Sequence, residues 1–168
     1  AVKTIILPSK TCYMACSNST NSYAVDKIYA LNGREDKKPL TIMVADLLMA
    51  KEYAFVDSRA SRAIKKFMPK GNLSICLRKK SGKAAQSNGR ALAGNLCKDT
   101  IVLRIADDLF LKKLITALGR PITATSANQS GRQPAYSISE QKEFIQKADF
   151  VIDGGKLKKN RPTSIMDF

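Results

Sequence analysis

The 168 residues contain no histidine. That absence excludes Ser-His and Cys-His nucleophile pairs, an imidazole general base and every His-containing zinc site. Acidic side chains are scarce as well: 14 Asp and Glu face 29 Lys and Arg, a formal charge of +15, and such a surplus projects a field that favours polyanions. No run reaches the length of about 18 apolar residues needed to span a membrane, and the opening Ala1 to Leu7 is too short and too quickly polar for a secretory signal. A soluble, cytoplasmic protein without membrane association is expected. Cys12, Cys16, Cys76 and Cys97 form no Cys-x-x-Cys pair, so they read as reduced, structural thiols, and no metal site made of protein side chains is expected.

Hydrophobic residues make up 44% of the chain, enough for a core, and the length fits one domain over residues 1–168. Residues 2–7 read as a buried strand. Val25, Ile28, Tyr29 and Leu31 recur at helical spacing within 22–31, and Asn32-Gly33 ends that helix. A strand at 40–45 precedes a helix at 58–68, whose Ala60, Ala63, Ile64 and Phe67 face inward while Arg59, Arg62, Lys65 and Lys66 face out. Strands are expected at 72–78 and 100–105, separated by an aperiodic Lys-, Gly- and Ser-rich loop or lid at 79–98. A helix at 108–118 uses Leu109, Phe110, Leu111, Leu114, Ile115 and Leu118, and a strand follows at 122–125. The last helix, at 139–148, would be opened by a capping box from Ser137 to Glu140. Strands at 149–153 and 164–168 flank a Lys-rich turn. Intermixed strands and helices without a repeat imply an α/β fold with a mixed sheet.

The most informative segment is Pro121 to Gly131, read Pro-Ile-Thr-Ala-Thr-Ser-Ala-Asn-Gln-Ser-Gly. A strand ending in hydroxyl and amide side chains places them at its carboxyl end, where open α/β sheets bind ligands, and suits an anion or nucleotide. A polar turn that uses Ser and Asn for backbone capping would look the same.

In these residues the chain resembles the YrdC-like threonylcarbamoyl-AMP synthase family, whose mark is a strand leading into Thr-Ser-Ala-Asn-x-Ser-Gly, complete here at 125–131. Five further pieces occur in the family's order. Pro8 to Tyr13 is similar to its entry loop, Asn32-Gly33-Arg34 with Lys38-Pro39-Leu40 to its Lys-x-Arg segment, and Thr100 to Arg104 to its Arg-bearing strand. Asp153-Gly154-Gly155 and Pro162 to Asp167 are similar to its Asp-Gly-Gly and Pro-Ser-Thr-Ile-Val-Asp elements. The resemblance implies a YrdC-like twisted, mixed parallel and antiparallel sheet flanked by helices, in a single domain with a concave basic face.

It also implies a reaction. L-threonine and bicarbonate give a carbamate that attacks the α-phosphate of ATP, releasing pyrophosphate, and a separate threonylcarbamoyl transferase then modifies tRNA. No histidine is needed, because the carbamate is already a nucleophile; the protein aligns it and neutralises charge on phosphate oxygens, with Mg²⁺ arriving with ATP. Position by position, the resemblance implies that Arg34, Lys38, Thr100, Ser126, Asn128 and Tyr136 line the ATP side, with Arg34 stabilising phosphate charge. Thr11, Arg104 and Thr163 would hold threonine, Arg104 by a bidentate grip on its carboxylate.

The chain departs from the family pattern at Asn32, where the family has Lys, and at Lys10, where it has Asp. If position 32 faces the phosphates, one cation is missing there and Lys10 is the candidate to restore it. The family's upstream helix and its later C-terminal extension are also expected to be absent.

From Arg59 to Lys98 there are eleven Lys or Arg and no acid. Lys65, Lys66, Lys79 and Lys80 are the candidate contacts for structured RNA, and with Phe67 the lone aromatic in the block, single-strand stacking is not expected. Three readings stay open: the adenylate-forming enzyme, a non-enzymatic RNA-binding module on the same fold, and a paralogue acting on another acyl substrate.

Overall fold

Alternation of side chains along the strands decides how the layers form. The computed structural model describes residues 3–33, 39–67, 73–80, 91–96, 99–161 and 163–168. Its strands are β1 (Thr4–Pro8), β2 (Tyr13–Ser17), β3 (Thr41–Val44), β4 (Leu73–Arg78), β5 (Thr100–Ile105), β6 (Ile122–Ser126), β7 (Phe150–Val151) and β8 (Ser164–Asp167). Its helices are α1 (Ser22–Asn32), α2 (Leu47–Tyr53), α3 (Ser58–Phe67), α4 (Leu109–Leu118) and the single turn α5 (Lys142–Ile145). The strands form one sheet in the order β7-β1-β2-β6-β3-β5-β4-β8. Pairs β1–β7, β3–β5 and β4–β8 are parallel and the other four antiparallel, so the expected mixed α/β sheet is present.

Both faces of the central strands are buried. Ile6, Tyr13, Ala15, Ile42, Val44, Ile75 and Leu103 join a cluster with Val25, Ile28 and Tyr29 of α1, Ala60 and Ile64 of α3, and Phe144 of α5. The residues that alternate with them along the strands, among them Leu7, Met14, Cys16, Met43 and Ala124, pack instead against Leu111 and Ile115 of α4. One face is therefore covered by several helices. On the other, α4 is the described helix in the core cluster.

Helix limits follow local chemistry. Asn21, Asp46 and Asp108 cap α1, α2 and α4 by accepting from the amides of Ala24, Met49 and Leu111. Gly33 and Gly119 end α1 and α4 in the left-handed region, at φ of 56° and 58°. Several expectations are corrected. Strand β2 and helix α2 have no counterpart in the sequence reading. The last helix shrinks from 139–148 to one turn because Gln141 adopts φ 53°. Glu140 does not close a capping box but accepts from the Tyr136 amide at 2.8 Å, while Ser137 bonds Ser139. Phe67 is exposed and carries the Lys66 ammonium 5.2 Å from its ring. Leu109, Phe110 and Leu118 are exposed as well, leaving Leu111 and Ile115 as the buried stripe of α4. Of the expected lid, residues 81–90, 97 and 98 lie outside the described residues; Leu92, Ala93 and Leu96 belong to the core.

Candidate functional site

Side-chain parity brings Met14 of β2, Thr41 of β3, Ser74 of β4, Val102 and Arg104 of β5, and Ala124 and Ser126 of β6 to the α4 side of the sheet. Beyond α4 that face is hollow. A cavity of about 630 Å³ opens there, lined by these residues together with Thr11, Cys12, Pro39, Thr125, Pro134, Tyr136, Asn160, Thr163 and Ile165. Five of the expected site residues, Thr11, Arg104, Ser126, Tyr136 and Thr163, thus meet in one place although 152 positions separate the first from the last.

The entry loop presents Thr11 by folding on itself. Ser9 Oγ donates to the Cys12 carbonyl at 2.7 Å and accepts from the amides of Thr11 and Cys12 at 3.2 and 3.3 Å, a hydroxyl-centred turn. Burial pushes the Cys12 thiol up from its ordinary value, opposed in part by its hydrogen bond with Thr11 and by the charge of Arg104. Cys12 is a neutral lining group rather than a nucleophile. Next to it, Tyr13 is wholly buried and ties the loop to the Asp-Gly-Gly turn. Its hydroxyl accepts from the Gly154 amide at 2.8 Å and lies 2.8 Å from Gly155 O and 3.0 Å from Asp153 Oδ1. Burial raises the phenol's pKa, so it stays a donor. Gly154 is required at that point: a Cβ there would lie 2.7 Å from Pro8 Cγ.

Arg104 is 6% exposed and pairs with Asp107, whose side chain is fully buried, at 3.3 Å between Nη2 and Oδ2. Thr163 sits beside Ser74 at 3.4 Å, where β8 enters the sheet next to β4. Tyr136 is covered by the segment after Gly155. The Leu157 amide donates to Tyr136 O at 2.7 Å, the Lys159 ammonium stands 5.3 Å from its ring, and Asn160 Nδ2 donates to Lys10 O at 2.6 Å.

Other expected residues are placed differently. Thr100 is exposed at the far end of β5, four residues and roughly 13 Å from Arg104, and does not line the cavity. Asn128 is 6% exposed and spends its amide nitrogen on Gln129 O and Arg132 O, both at 2.8 Å, so it braces the turn. Arg34 and Lys38 lie outside the described residues. The condition that position 32 faces the phosphates is not met by the Asn32 side chain, which is buried: Asn32 is 3% exposed and its Nδ2 donates to Ser126 O and Asn128 O. Lys10 is exposed and contributes its carbonyl to Asn160.

The sequence reading missed Thr41, Ser74 and Asn160. For Ser74 a signal existed, since a hydroxyl inside the apolar run Leu73 to Leu77 is a polar group at a buried strand position. Asn160 had none, being one polar residue in a Lys-rich turn. Of the candidate RNA contacts, Lys65 and Lys66 are exposed on α3, while Lys79 and Lys80 are half-buried. Lys80 donates to Lys51 O at 2.6 Å and stands 5.7 Å from the Phe55 ring, which also carries Arg78 at 4.2 Å. An aromatic therefore does enter the basic surface, from outside the charged block, with one face taken by Arg78.

Comparison with known proteins agrees with this arrangement. The family model that groups Sua5, YciO and YrdC, described as telomere recombination, matches residues 2–168. A Methanocaldococcus jannaschii protein provisionally named threonylcarbamoyl-AMP synthase is 37% identical over 98% of this chain and 73% of its own length. The threonylcarbamoyl-AMP synthase of Pyrococcus abyssi is 30% identical, with 98% of this chain matching 47% of that protein. Among solved structures, P. abyssi Sua5 complexed with L-threonine superposes with a TM-score of 0.86 at 27% identity, over 99% of this chain and 47% of that one. Escherichia coli YciO gives 0.81 at 27% identity, over 99% and 78%. The chain thus spans about half the length of the Pyrococcus relatives. With the family model matching residues 2–168 and the same fold in both structures, the chain belongs to the Sua5/YciO/YrdC family.

Proposed function

We propose that the chain is a threonylcarbamoyl-AMP synthase, converting L-threonine, bicarbonate and ATP into threonylcarbamoyl-AMP and pyrophosphate. The observation that carries this reading is the chemical make-up of the cavity. A buried arginine faces hydroxyl and amide groups, and no carboxylate, histidine or activated thiol is among the described lining residues. Such a site has cationic and hydrogen-bonding groups but no general base. It suits a reaction whose nucleophile is already an anion.

In this reading threonine and bicarbonate condense with loss of water to a carbamate. A carbamate oxygen forms a bond to the α-phosphorus, the bond from that phosphorus to the bridging oxygen breaks, and pyrophosphate leaves with the electron pair. Arg104 grips the threonine carboxylate, and Thr11 and Thr163 bond the remaining polar groups. Ser126 and Tyr136 lie on the nucleotide side. Arg34, Lys38, Thr100 and Asn128 are assigned there by resemblance, although Thr100 and Asn128 do not line the cavity. Among the described residues no group of three Asp, Glu or Cys could hold a metal. Mg²⁺ would enter with the triphosphate and would supply charge neutralisation there. A separate cytoplasmic transferase uses the adenylate to modify tRNA.

Incubation with ATP, Mg²⁺, threonine and bicarbonate, followed by pyrophosphate measurement and mass spectrometry, tests the proposal. Release should need all four, and the product should carry the mass of threonylcarbamoyl-AMP. Release indifferent to threonine would refute it.

A second, compatible activity is favoured by α3. Arg59, Arg62, Lys65 and Lys66 are exposed on it, Arg78 and Lys80 stand over Phe55 in the segment that precedes it, and we propose that α3 receives the phosphates of a structured RNA.

A further inference from the structure

Asn32, the last residue of α1, makes three contacts with a single turn after β6. Its Nδ2 donates to the carbonyls of Ser126 at 3.2 Å and Asn128 at 2.9 Å, and its own backbone carbonyl accepts from the Ser130 amide at 2.7 Å. The Oδ1 atom of the same amide is buried without a hydrogen-bond partner. What the turn uses from this side chain is therefore a donor. Within the turn the Asn128 backbone amide shares the Ser126 carbonyl at 2.9 Å, but the Asn128 side-chain nitrogen is committed to Gln129 O and Arg132 O, which leaves the Asn128 carbonyl to Asn32.

We propose that Asn32 is a positioning residue for the nucleotide. It holds the backbone of Ser126, Ala127 and Asn128 in place from beneath and does not itself meet the phosphates. The inference rests on the ATP half of the proposed function. Without its two donors, the Asn128 carbonyl would lose the Asn32 bond and the Ser126 carbonyl would keep only the Asn128 amide at 2.9 Å, and the turn would shift toward water to satisfy them. Displacement by about 1 Å at a binding element can cost on the order of 100-fold in rate. The Lys that the resemblance puts at this position is also a pure donor, with three N–H groups and no acceptor. Lys and Asn can then serve the same carbonyls, and the departure at position 32 changes the donor rather than removing a phosphate contact.

The test uses the full chain and ATP with Mg²⁺. ATP affinity is read from thermal protection without threonine, and the threonine KM from pyrophosphate release, for wild type, Asn32→Leu and Asn32→Lys. Asn32→Leu, similar in size and without donors, should weaken ATP binding about tenfold or more and leave the threonine KM within about twofold. Asn32→Lys should recover most of the loss. If Asn32→Leu folds poorly, Asn32→Ala supplies the donor-free comparison. Equal ATP affinity in wild type and the donor-free variant would overturn the inference, and so would ATP and threonine constants that worsen together. A Lys variant binding ATP about tenfold tighter than wild type would also overturn it, since that is the mark of a vacated phosphate site. Because protection is read without threonine, this ordering of variants would sustain the inference even if threonine-dependent pyrophosphate release failed. A wild type that ATP does not protect would bring down both.

Discussion

A guanidinium as buried as that of Arg104 requires a counter-charge, and Asp107 provides it at 3.3 Å. The pairing has a consequence for mutagenesis. Arg104→Ala would strand a fully buried carboxylate, and breaking a buried pair from one side typically costs about 3 to 5 kcal/mol of stability. Arg104→Lys keeps the charge but loses the planar fork, so it separates recognition from folding. With Lys, the threonine KM should rise roughly 10- to 100-fold, the loss of one charged hydrogen bond of about 1.5 to 3 kcal/mol. The KM for ATP should change by less than about threefold. Initial rates with each substrate varied in turn measure both, and equal effects on the two constants would contradict the assignment. Arg104 was legible in the sequence through the resemblance of Thr100 to Arg104 to the family's Arg-bearing strand. Asp107 was not, since a carboxylate two residues after the strand reads as a loop residue until the structure shows its side chain buried.

Elements with strong local chemistry were the readable ones. Asn32-Gly33 marked the end of α1 to the residue, and the apolar runs of β4 and β5 were placed within one position. Strand β2 escaped because all five of its residues are buried between β1 and β6, which erases the alternation that announces a strand. Helix α2 has seven residues, too few for a period to emerge. Strand β7, two residues long, depends on a charged contact rather than on its own pattern. Asp149, just before it, accepts from Thr4 N and Thr4 Oγ1 at 2.8 and 2.9 Å and pairs with Lys3 and Lys27. The Thr4 bonds first, then the two ammonium groups, hold its carboxyl well below the usual carboxylate range. A carboxylate lowered by folding stabilises the native state above its unfolded pKa, and that contribution is lost as pH falls through the folded value. Asp149→Asn should therefore lower Tm at pH 7, and the difference from wild type should narrow steadily once the pH drops below about 4. Thermal scans across that range check it; a gap independent of pH would assign the effect to packing.

At the scale of the whole molecule, the charge of +15 is concentrated in sequence between Arg59 and Lys98, and its described exposed members are four residues of α3 together with Arg78 at the end of β4. RNA affinity should fall steeply with salt, by about 0.9 in the log–log slope for each phosphate contact. Reversing Lys65 and Lys66 to Glu should reduce that slope by about two, as filter binding at several ionic strengths would show. Binding indifferent to salt, or absent at low salt, would return α3 to a solvated face. Lys80 is a poor choice for this test because its ammonium already serves Lys51 O. The strand order could not be read from periodicity, since neighbours such as β2 and β6 are more than a hundred residues apart. The order of the sequence motifs anticipated the site better than the topology. That topology sets a limit on length. Strands β7 and β8 follow one another in the chain yet occupy opposite margins of the sheet, seven spacings apart or roughly 34 Å. Thirteen peptide steps join Val151 to Ser164, with a reach of about 43 to 47 Å when fully drawn out. The segment stays at the β1–β2 side as far as Asn160, held through Tyr13 and Lys10 O, so the crossing to Thr163 beside Ser74 falls on three peptide steps. Lysines before Asn160 can be removed by drawing in slack, whereas a deletion between Asn160 and Thr163 would have to be met by releasing one of those contacts.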